Sequence, residues 1–450
     1  MDNTTHAVGK VLNDSSKVTR DANYALAMLL VAYILSFIDR QILGLLVGPI
    51  RADFDISDFQ FSLLHGVAFA VFYTALGFPI GRAADRFNRK KIIMAGVFLW
   101  SLATCLSAGA KNFASLFCAR MMVGVGEASL SPAAASMLSD YFSPKKLPRA
   151  MATYSLGITL GGGLAYIIGG AVYDAFDAME PIALPLVGVL TAWQWTFVAV
   201  GAPGMLVALL MSFMKEPARR GQDAELPDVV PMKEAVQYVL QRRVAFGSIM
   251  LGVSMLSIIG YGTMAWYVEM IVRNFATPKS EIGLQFGLIF IIAGSLGTLT
   301  LAWFTERLSA KGYTDASLRT LLVVALAQWL PAALAPQMPS AALTMLVTIP
   351  VVFFQYGYFG ISLAALQRIT PNQLRGQVSA LFLFCTNILG LALGPTIVAS
   401  FTDFVFKNDA MLGHSLTTVA CVFSPISALL FYKGLRKYRE EVQSSESWSG

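Results

Sequence analysis

Apolar residues run in blocks of about eighteen or more along most of the chain, separated by short polar turns and one long polar stretch. The blocks predict twelve membrane-spanning helices, at about 24–49, 61–81, 92–110, 113–139, 149–173, 193–214, 244–268, 282–303, 318–336, 341–366, 376–404 and 414–432. The long polar stretch, Lys215 to Arg243, is rich in Pro, Gln and charge and divides the spans into two sets of six. The expected fold class is therefore an all-α polytopic membrane protein with two pseudo-symmetric six-helix halves. Its expected parts are a tail at 1–23, halves at 24–214 and 244–432 joined by a linker at 215–243, and a tail at 433–450. The segment 174–192 is too broken by Pro for a thirteenth span, and Trp193 and Trp195 suit an interfacial anchor for span six.

Composition fits this pattern. The chain is 56% hydrophobic and 13% charged, about half the charged fraction of a soluble protein, and its mean hydropathy is +0.62. The net charge of +6 is no nucleic-acid footprint, because the basic residues fall in alternate loops rather than in a stripe. Of 33 Lys and Arg, 26 lie on the side of the termini, five on the other (Arg51, Lys111, Arg273, Lys279, Lys407), and two inside spans, Arg40 and Arg120. That asymmetry predicts cytoplasmic termini in an inner or plasma membrane. Residues 1–23 contain no apolar core and so predict no cleavable signal peptide. The four cysteines read as buried small hydrophobes, and His6, His65 and His414 are scattered without metal spacing. With no nucleophile motif and no nucleotide loop, neither an enzyme nor direct ATP drive is expected, and no metal or cofactor.

Short echoes link the halves. Gly81-Arg82-Ala83-Ala84-Asp85-Arg86 after span two corresponds to Ala302-Trp303-Phe304-Thr305-Glu306-Arg307 after span eight, and the stretch around Pro144 corresponds to that around Pro371. Duplicated halves are a transporter architecture. The first of these stretches, continued through Phe87-Asn88-Arg89-Lys90-Lys91, resembles the signature of the major facilitator superfamily between spans two and three. Its usual glycine is Asn88, a residue that also tolerates positive φ. The expected cytoplasmic gate comprises Gly81, Asp85, Arg86, Arg89 and Lys90. Asp85 docks on the N-terminal end of span eleven near Arg375-Gly376, and the basic residues bind the membrane surface. The alternative is a solvated basic turn.

Within the superfamily, four stretches in order resemble Spinster-type transporters. They are Phe37-Ile38-Asp39-Arg40, the signature above, Arg120-x3-Gly124-x-Gly126-Glu127-Ala128-Ser129, and the glycine run from Gly157 through Gly161, Gly162 and Gly163 to Gly169. The match covers the N-terminal half strongly and the C-terminal half only as generic superfamily. It implies a central cavity, alternating access coupled to protons and, for animal relatives, lysolipid or sphingolipid phosphate cargo. Composition and spacing do not themselves show a lipid cargo.

Arg120 and Glu127 are seven residues apart, so they share one helix face about 10 Å apart along the axis. Asp39 and Glu127 lie ~22 Å and ~18 Å from the cytoplasmic ends of their spans, at similar depth near the midplane. Carboxylates in a low-dielectric site hold protons more tightly, and a nearby arginine opposes this. An arginine swinging between them would convert proton uptake into release. The proton-coupling set is thus Asp39, Glu127, Arg120 and Arg40, with Asp39 expected toward the cavity and Arg40 toward a neighbouring helix or the cytoplasmic side. A static ion-pair network pinning spans one and four is the other reading. Gly124 and Gly126 are expected to let another helix approach, and the glycines of span five to pack helices or allow bending. That span lacks the Gly-Pro of the antiporter motif.

The expected substrate cavity adds His65, Gln355, Tyr356, Tyr358 and Asn387, with His65 alternatively a polar helix cap. Glu269 and Arg273 are spaced to pair with each other or to form an outer gate. The C-terminal half lacks midplane charge, which assigns coupling to the N-terminal half. The leading expectation is a monomeric proton-coupled transporter of an amphipathic organic solute, lysolipid- or sphingolipid-like if it follows the resemblance, whose partners are the small-molecule or lipid substrate, protons and the bilayer. A multidrug or organic-anion carrier of the same fold is the alternative.

Overall fold

A computed structural model describes residues 2–143, 145–179, 183–184, 188–219 and 231–446, with side chains from residue 20 onward except those at 85, 183, 184, 188 and 446. Among the described residues, twelve helices are long and apolar enough to cross a membrane: Arg20–Leu45, Asp58–Ala84, Arg89–Ser107, Phe113–Tyr141, Leu147–Asp177, Ala192–Phe213, Arg243–Phe275, Lys279–Ala310, Ala316–Gln337, Ala341–Arg368, Asn372–Phe406 and Asp409–Ser445. Each overlaps its expected span. In lipid a helix satisfies its own backbone, which is why apolar runs of this length fold so. Polar residues mark the starts. Ser57 and Gln60 form a capping box at span two, and Asn112 accepts a 2.9 Å bond from the Ser115 amide at span four.

Both described ends lie on one side of the bundle, the terminal side. Lys215 after span six pairs with Asp21 before span one, and Arg242 before span seven pairs with Glu441 at 3.0 Å. The opposite side is the far side.

The halves are built alike. Span one packs on five, two on four and three on six, as seven packs on eleven, eight on ten and nine on twelve. They meet along two seams, two with eleven and five with eight. At the second seam backbones touch: a Cβ at Gly283 would stand 2.2 Å from the Tyr166 carbonyl oxygen, and one at Gly287 2.4 Å from that of Gly163. Only glycine permits this approach. At the first seam two π-helical stretches meet, Leu63–Val67 and Asn387–Ala392. A Cβ at Gly66 would lie 2.6 Å from the Ala392 carbonyl oxygen.

Hydrogen bonds between the halves gather on the far side, from Tyr166 to Met264, Gly48 to Glu269 and Ser280 to Asp174. Toward the terminal side, Gly77 and Gly81 of span two and Gly376 of span eleven meet no atom of the opposite half within 4 Å. Hydrogen bonds and backbone contacts thus close the bundle at the far side.

Four segments depart from expectation. Span one ends early: its helix stops at Gln41, tightens to a 3-10 turn at Ile42–Leu45, and a separate helix Val47–Phe54 follows. The backbone at Gly44 there lies against Met264 and Ala265 of span seven. The linker carries a helix, Met232–Gln241, with Ala235 buried and the Tyr238 hydroxyl donating to the Ile369 carbonyl at 3.0 Å. Its stretch 220–230 lies outside the described residues. The expected C-terminal tail instead continues the helix of span twelve to Glu446, held by buried Tyr438 and Val442. The expected loop at 174–192 includes a two-residue ladder, Ala183–Leu184 with Gly188–Val189; 180–182 and 185–187 lie outside the described residues.

Candidate functional site

Span four is a helix from Phe113 to Glu127, a turn at Ala128 and Ser129, and a second helix from Leu130. Glu127 therefore sits where the span breaks. Glycines bring its neighbours close. A Cβ at Gly124 would lie 2.6 Å from the Phe69 carbonyl oxygen of span two, and one at Gly126 2.8 Å from that of Gly96 in span three. These glycines pack helices, as expected.

Glu127 Oε2 accepts bonds from Ser36 Oγ at 2.7 Å and Arg40 Nε at 2.5 Å, both from span one. The Arg40 guanidinium also lies over the rings of Phe37, Phe69 and Tyr73, 5.0, 4.8 and 4.6 Å from their centroids. Cation–π contact of this kind is worth more where water is excluded. Arg120 is buried, its Nε and Nη1 donating to no protein acceptor, within electrostatic reach of Asp39 and Glu127. Asp39 is 2% exposed, its Oδ1 accepting no bond, beside Thr104 and Cys105 of span three.

The four expected coupling residues thus form one buried cluster, in which Arg40 reaches a neighbouring helix as expected and only Asp39 faces otherwise than expected. Asp39 was expected toward the cavity and turns instead into the interface with span three. Arg40, about 100° away on the helix, takes the Glu127 contact and keeps 12% side-chain exposure. Arg120 and Glu127 share a face but do not bond. Two positive and two negative groups in a dry interior with one ion pair made among them are an arrangement with unused bonding capacity. Reorganising it requires small side-chain movements only.

Two of the gate residues, Arg89 and Lys90, depart from expectation. Arg89, expected at the lipid surface, is buried; it bonds Asp140 at the end of span four and Glu216 after span six, the latter at 2.8 Å. Lys90 donates to the carbonyls of Ser212 and Met214 at 3.0 and 2.9 Å. Both tie the N-terminal half to itself, because a buried guanidinium needs carboxylates more than it needs lipid phosphate. Asn88 is extended, with φ −67°, and caps the next helix through the Lys91 amide; it does not replace a positive-φ glycine. Arg86 is exposed, and Gly81 lies nearest to Pro132 of span four at 3.8 Å. The Asp85 side chain, expected to dock on span eleven, lies outside the described residues. Arg375 of span eleven bonds the carbonyls of Gln367 and Thr370 in its own half.

Of the five cavity residues, Gln355 and Tyr356 line a cleft with Gly260, Thr263, Met264 and Phe290. Tyr358 turns away from it, pairing with Ser257 at 3.1 Å and receiving a bond from Gln355 at 3.0 Å. Asn387 opens the π-helical stretch of span eleven, half-buried. His65 is neither helix cap nor cavity wall: it is 6% exposed within the π-helical stretch of span two, in the field of Arg120. Sequence reasoning missed Ser36, though its spacing four before Arg40 puts both on one face. It also missed Asp58, whose place at a helix start reads as an ordinary cap.

The superfamily profile described as Major Facilitator Superfamily matches residues 29–395. The chain belongs to the major facilitator superfamily. Among curated relatives it is 25% identical over 434 residues to an MFS-type efflux pump of Mycolicibacterium smegmatis, covering 94% of this chain and 95% of the pump. It is 25% identical to Protein spinster of Drosophila melanogaster over 67% of this chain and 48% of that protein. It is 27% identical to the sphingosine-1-phosphate transporter SPNS2 of Xenopus tropicalis over 63% of this chain and 54% of that one. The chain thus spans about half the length of the Spinster relatives. A bacterial homologue of the human lysosomal transporter Spinster, solved inward-facing and unoccupied, superposes with a TM-score of 0.79 at 25% identity, covering 94% of this chain and 98% of that one. The protein is an integral membrane protein of that superfamily, and Spinster proteins are among those it is similar to.

Proposed function

We propose that this major facilitator protein is a proton-coupled secondary transporter of an amphipathic organic solute, working as a monomer in an inner or plasma membrane with cytoplasmic termini. The observation that carries this reading is the buried Arg40–Glu127 pair with Asp39 and Arg120 beside it. A proton on Glu127 removes the charge that holds Arg40 and frees the guanidinium; Asp39 and Arg120 then redistribute the field. A fully bonded network would favour the static reading, and the unbonded Arg120 nitrogens and Asp39 oxygen favour a switch. Gln355 and Tyr356, with Phe290 across from them, set an amide edge among aromatic walls, but the crevice there is only about 10 Å³, water-sized, so a solute with a polar head and an apolar body enters only if the crevice widens. The Spinster relatives support a lysolipid-like cargo. The efflux pump, matched over nearly its whole length, supports the second reading, a multidrug or organic-anion carrier.

Purified protein in liposomes should move cargo faster with an imposed pH gradient than without one. Equal rates for lysolipids, organic anions and cationic drugs alike would remove proton coupling, and the cargo accelerated selects between the two readings.

A further inference from the structure

Six charged side chains meet at the far side: Arg51 and Asp58 from one half, and Glu269, Arg273, Asp403 and Asp409 from the other, with the carboxylates of Asp58, Asp403 and Asp409 within 4.8 Å of one another. Asp58, at the start of span two and 0% exposed, bonds Arg51 of its own half at 2.9 Å and Arg273 of span seven at 2.7 Å. Arg273 also bonds Glu269, one turn away on its own helix, at 2.8 Å. Arg51 reaches across to Asp409 before span twelve at 2.9 Å. Glu269 accepts the Gly48 amide from the opposite half at 3.1 Å, where a Cβ would crowd its carboxylate at 3.2 Å.

We infer that this ring is the far-side gate of the transport cycle, and that it opens by unzipping into two self-neutral pairs. The bonds crossing between the halves here are Asp58–Arg273, Arg51–Asp409, Gly48–Glu269 and the Phe59 amide to Asp403 at 2.7 Å. Breaking them leaves Arg51–Asp58 intact in one half and Glu269–Arg273 intact in the other. Asp409, with 58% side-chain exposure, and half-buried Asp403 are left for water to solvate. A buried ion pair that loses one partner strands a charge, which is the expensive outcome. Here no buried charge is stranded on either side, so the same residues lock the closed state without making the open state prohibitive. The inference stands whatever the cargo and whether or not protons drive it.

The test uses the full chain in sealed proteoliposomes, with Cys105, Cys118, Cys385 and Cys421 replaced by serine. Its reporter is Ala265→Cys, 1% exposed at the closed seam opposite Gly44. A membrane-impermeant maleimide confined to the far side reads how often the gate opens. Asp58→Asn leaves two arginines facing each other and should raise the labelling rate by on the order of tenfold, about 1.4 kcal/mol of lost closure. Asp409→Asn, at the exposed position, should raise it by a smaller factor, and serves if the first variant folds poorly. The double exchange Asp58→Arg with Arg273→Asp keeps the crossing pair but leaves only positive charges in one half of the ring, at 51 and 58, and only negative ones in the other, at 269, 273, 403 and 409. Its labelling should fall below that of the parent, because opening now strands like charges. Labelling of the Asn variants equal to the parent overturns the gate, and labelling of the exchange variant equal to or above the parent overturns the unzipping.

Discussion

The two halves share one helix arrangement and differ in what they bury at mid-depth. In the N-terminal half spans one and four bury Asp39, Arg120 and Glu127, with Arg40 closing the cluster. In the C-terminal half the facing spans seven and ten bury Ser254, Ser257, Thr348, Tyr358 and Ser362. The hydroxyls of Ser254, Thr348 and Ser362 bond back to the carbonyls of Met250, Thr344 and Tyr358, and Ser257 and Tyr358 pair with each other. A hydroxyl that returns its proton to its own helix is satisfied and inert, whereas a buried carboxylate is held by a charge that can leave. Duplication has supplied the same frame twice, and ionisable chemistry occupies one copy. The other copy keeps a wall that is polar without being charged.

The largest effect that tests this division is on coupling. Glu127→Gln and Asp39→Asn should each abolish the acceleration by a pH gradient while leaving expression and folding intact, as read by liposome flux and size-exclusion profiles. Normal gradient response in both makes the cluster structural. Next comes stability. Arg40→Leu leaves Glu127 buried without its pair and should cost about 3–5 kcal/mol, seen as earlier thermal unfolding in detergent. Adding Glu127→Leu should recover most of that loss without restoring coupling, and a double variant as unstable as the single one breaks the ion-pair account. Third, Gly283→Val drives a side chain into the Tyr166 carbonyl of span five and should destabilise the closed far side by about 1–3 kcal/mol. Maleimide labelling of Ala265→Cys should therefore rise. The smallest effect belongs to the uncharged half. Gln355→Ala should change cargo affinity by about 1 kcal/mol and leave the gradient response alone. Loss of that response in Gln355→Ala would extend coupling into both halves.

The twelve spans were legible because lipid imposes one rule on every backbone group, and hydropathy reports it directly. The coupling residues were legible for the same reason: a charge inside an apolar run is conspicuous. Their pairing was not. Glu127 and Arg120 share a helix face, yet the crossing of spans one and four brings Arg40 nearer, and sequence spacing carries no crossing angle. Arg89 and Lys90 looked like lipid-facing charges because their partners, Asp140, Glu216 and the Ser212 and Met214 carbonyls, lie 46 or more residues away. The far-side ring escaped notice in part because Asp58, Arg51 and Asp409 each sit where loops are expected to be charged. Glu269 and Arg273 were visible through their spacing, and their partners across the seam only through the fold.

The π-helical stretch at Leu63–Val67 adds a spacing change to span two. A wider turn holds an extra residue relative to an ordinary one, so the helix before it is out of phase with the helix after it. Deleting a single residue there would restore α spacing and leave both flanks nearly where they are, because the wide turn has already absorbed the extra residue. A deletion in the α-helical stretch that follows, Ala68–Arg86, has no such slack and would rotate the terminal-side signature by about 100° relative to Asp58 while drawing it in by ~1.5 Å. Span two is in effect two helices cut to different registers, one phased to the far-side charges and one to the opposite mouth. A single deletion should therefore be tolerated far better within Leu63–Val67 than elsewhere in this span.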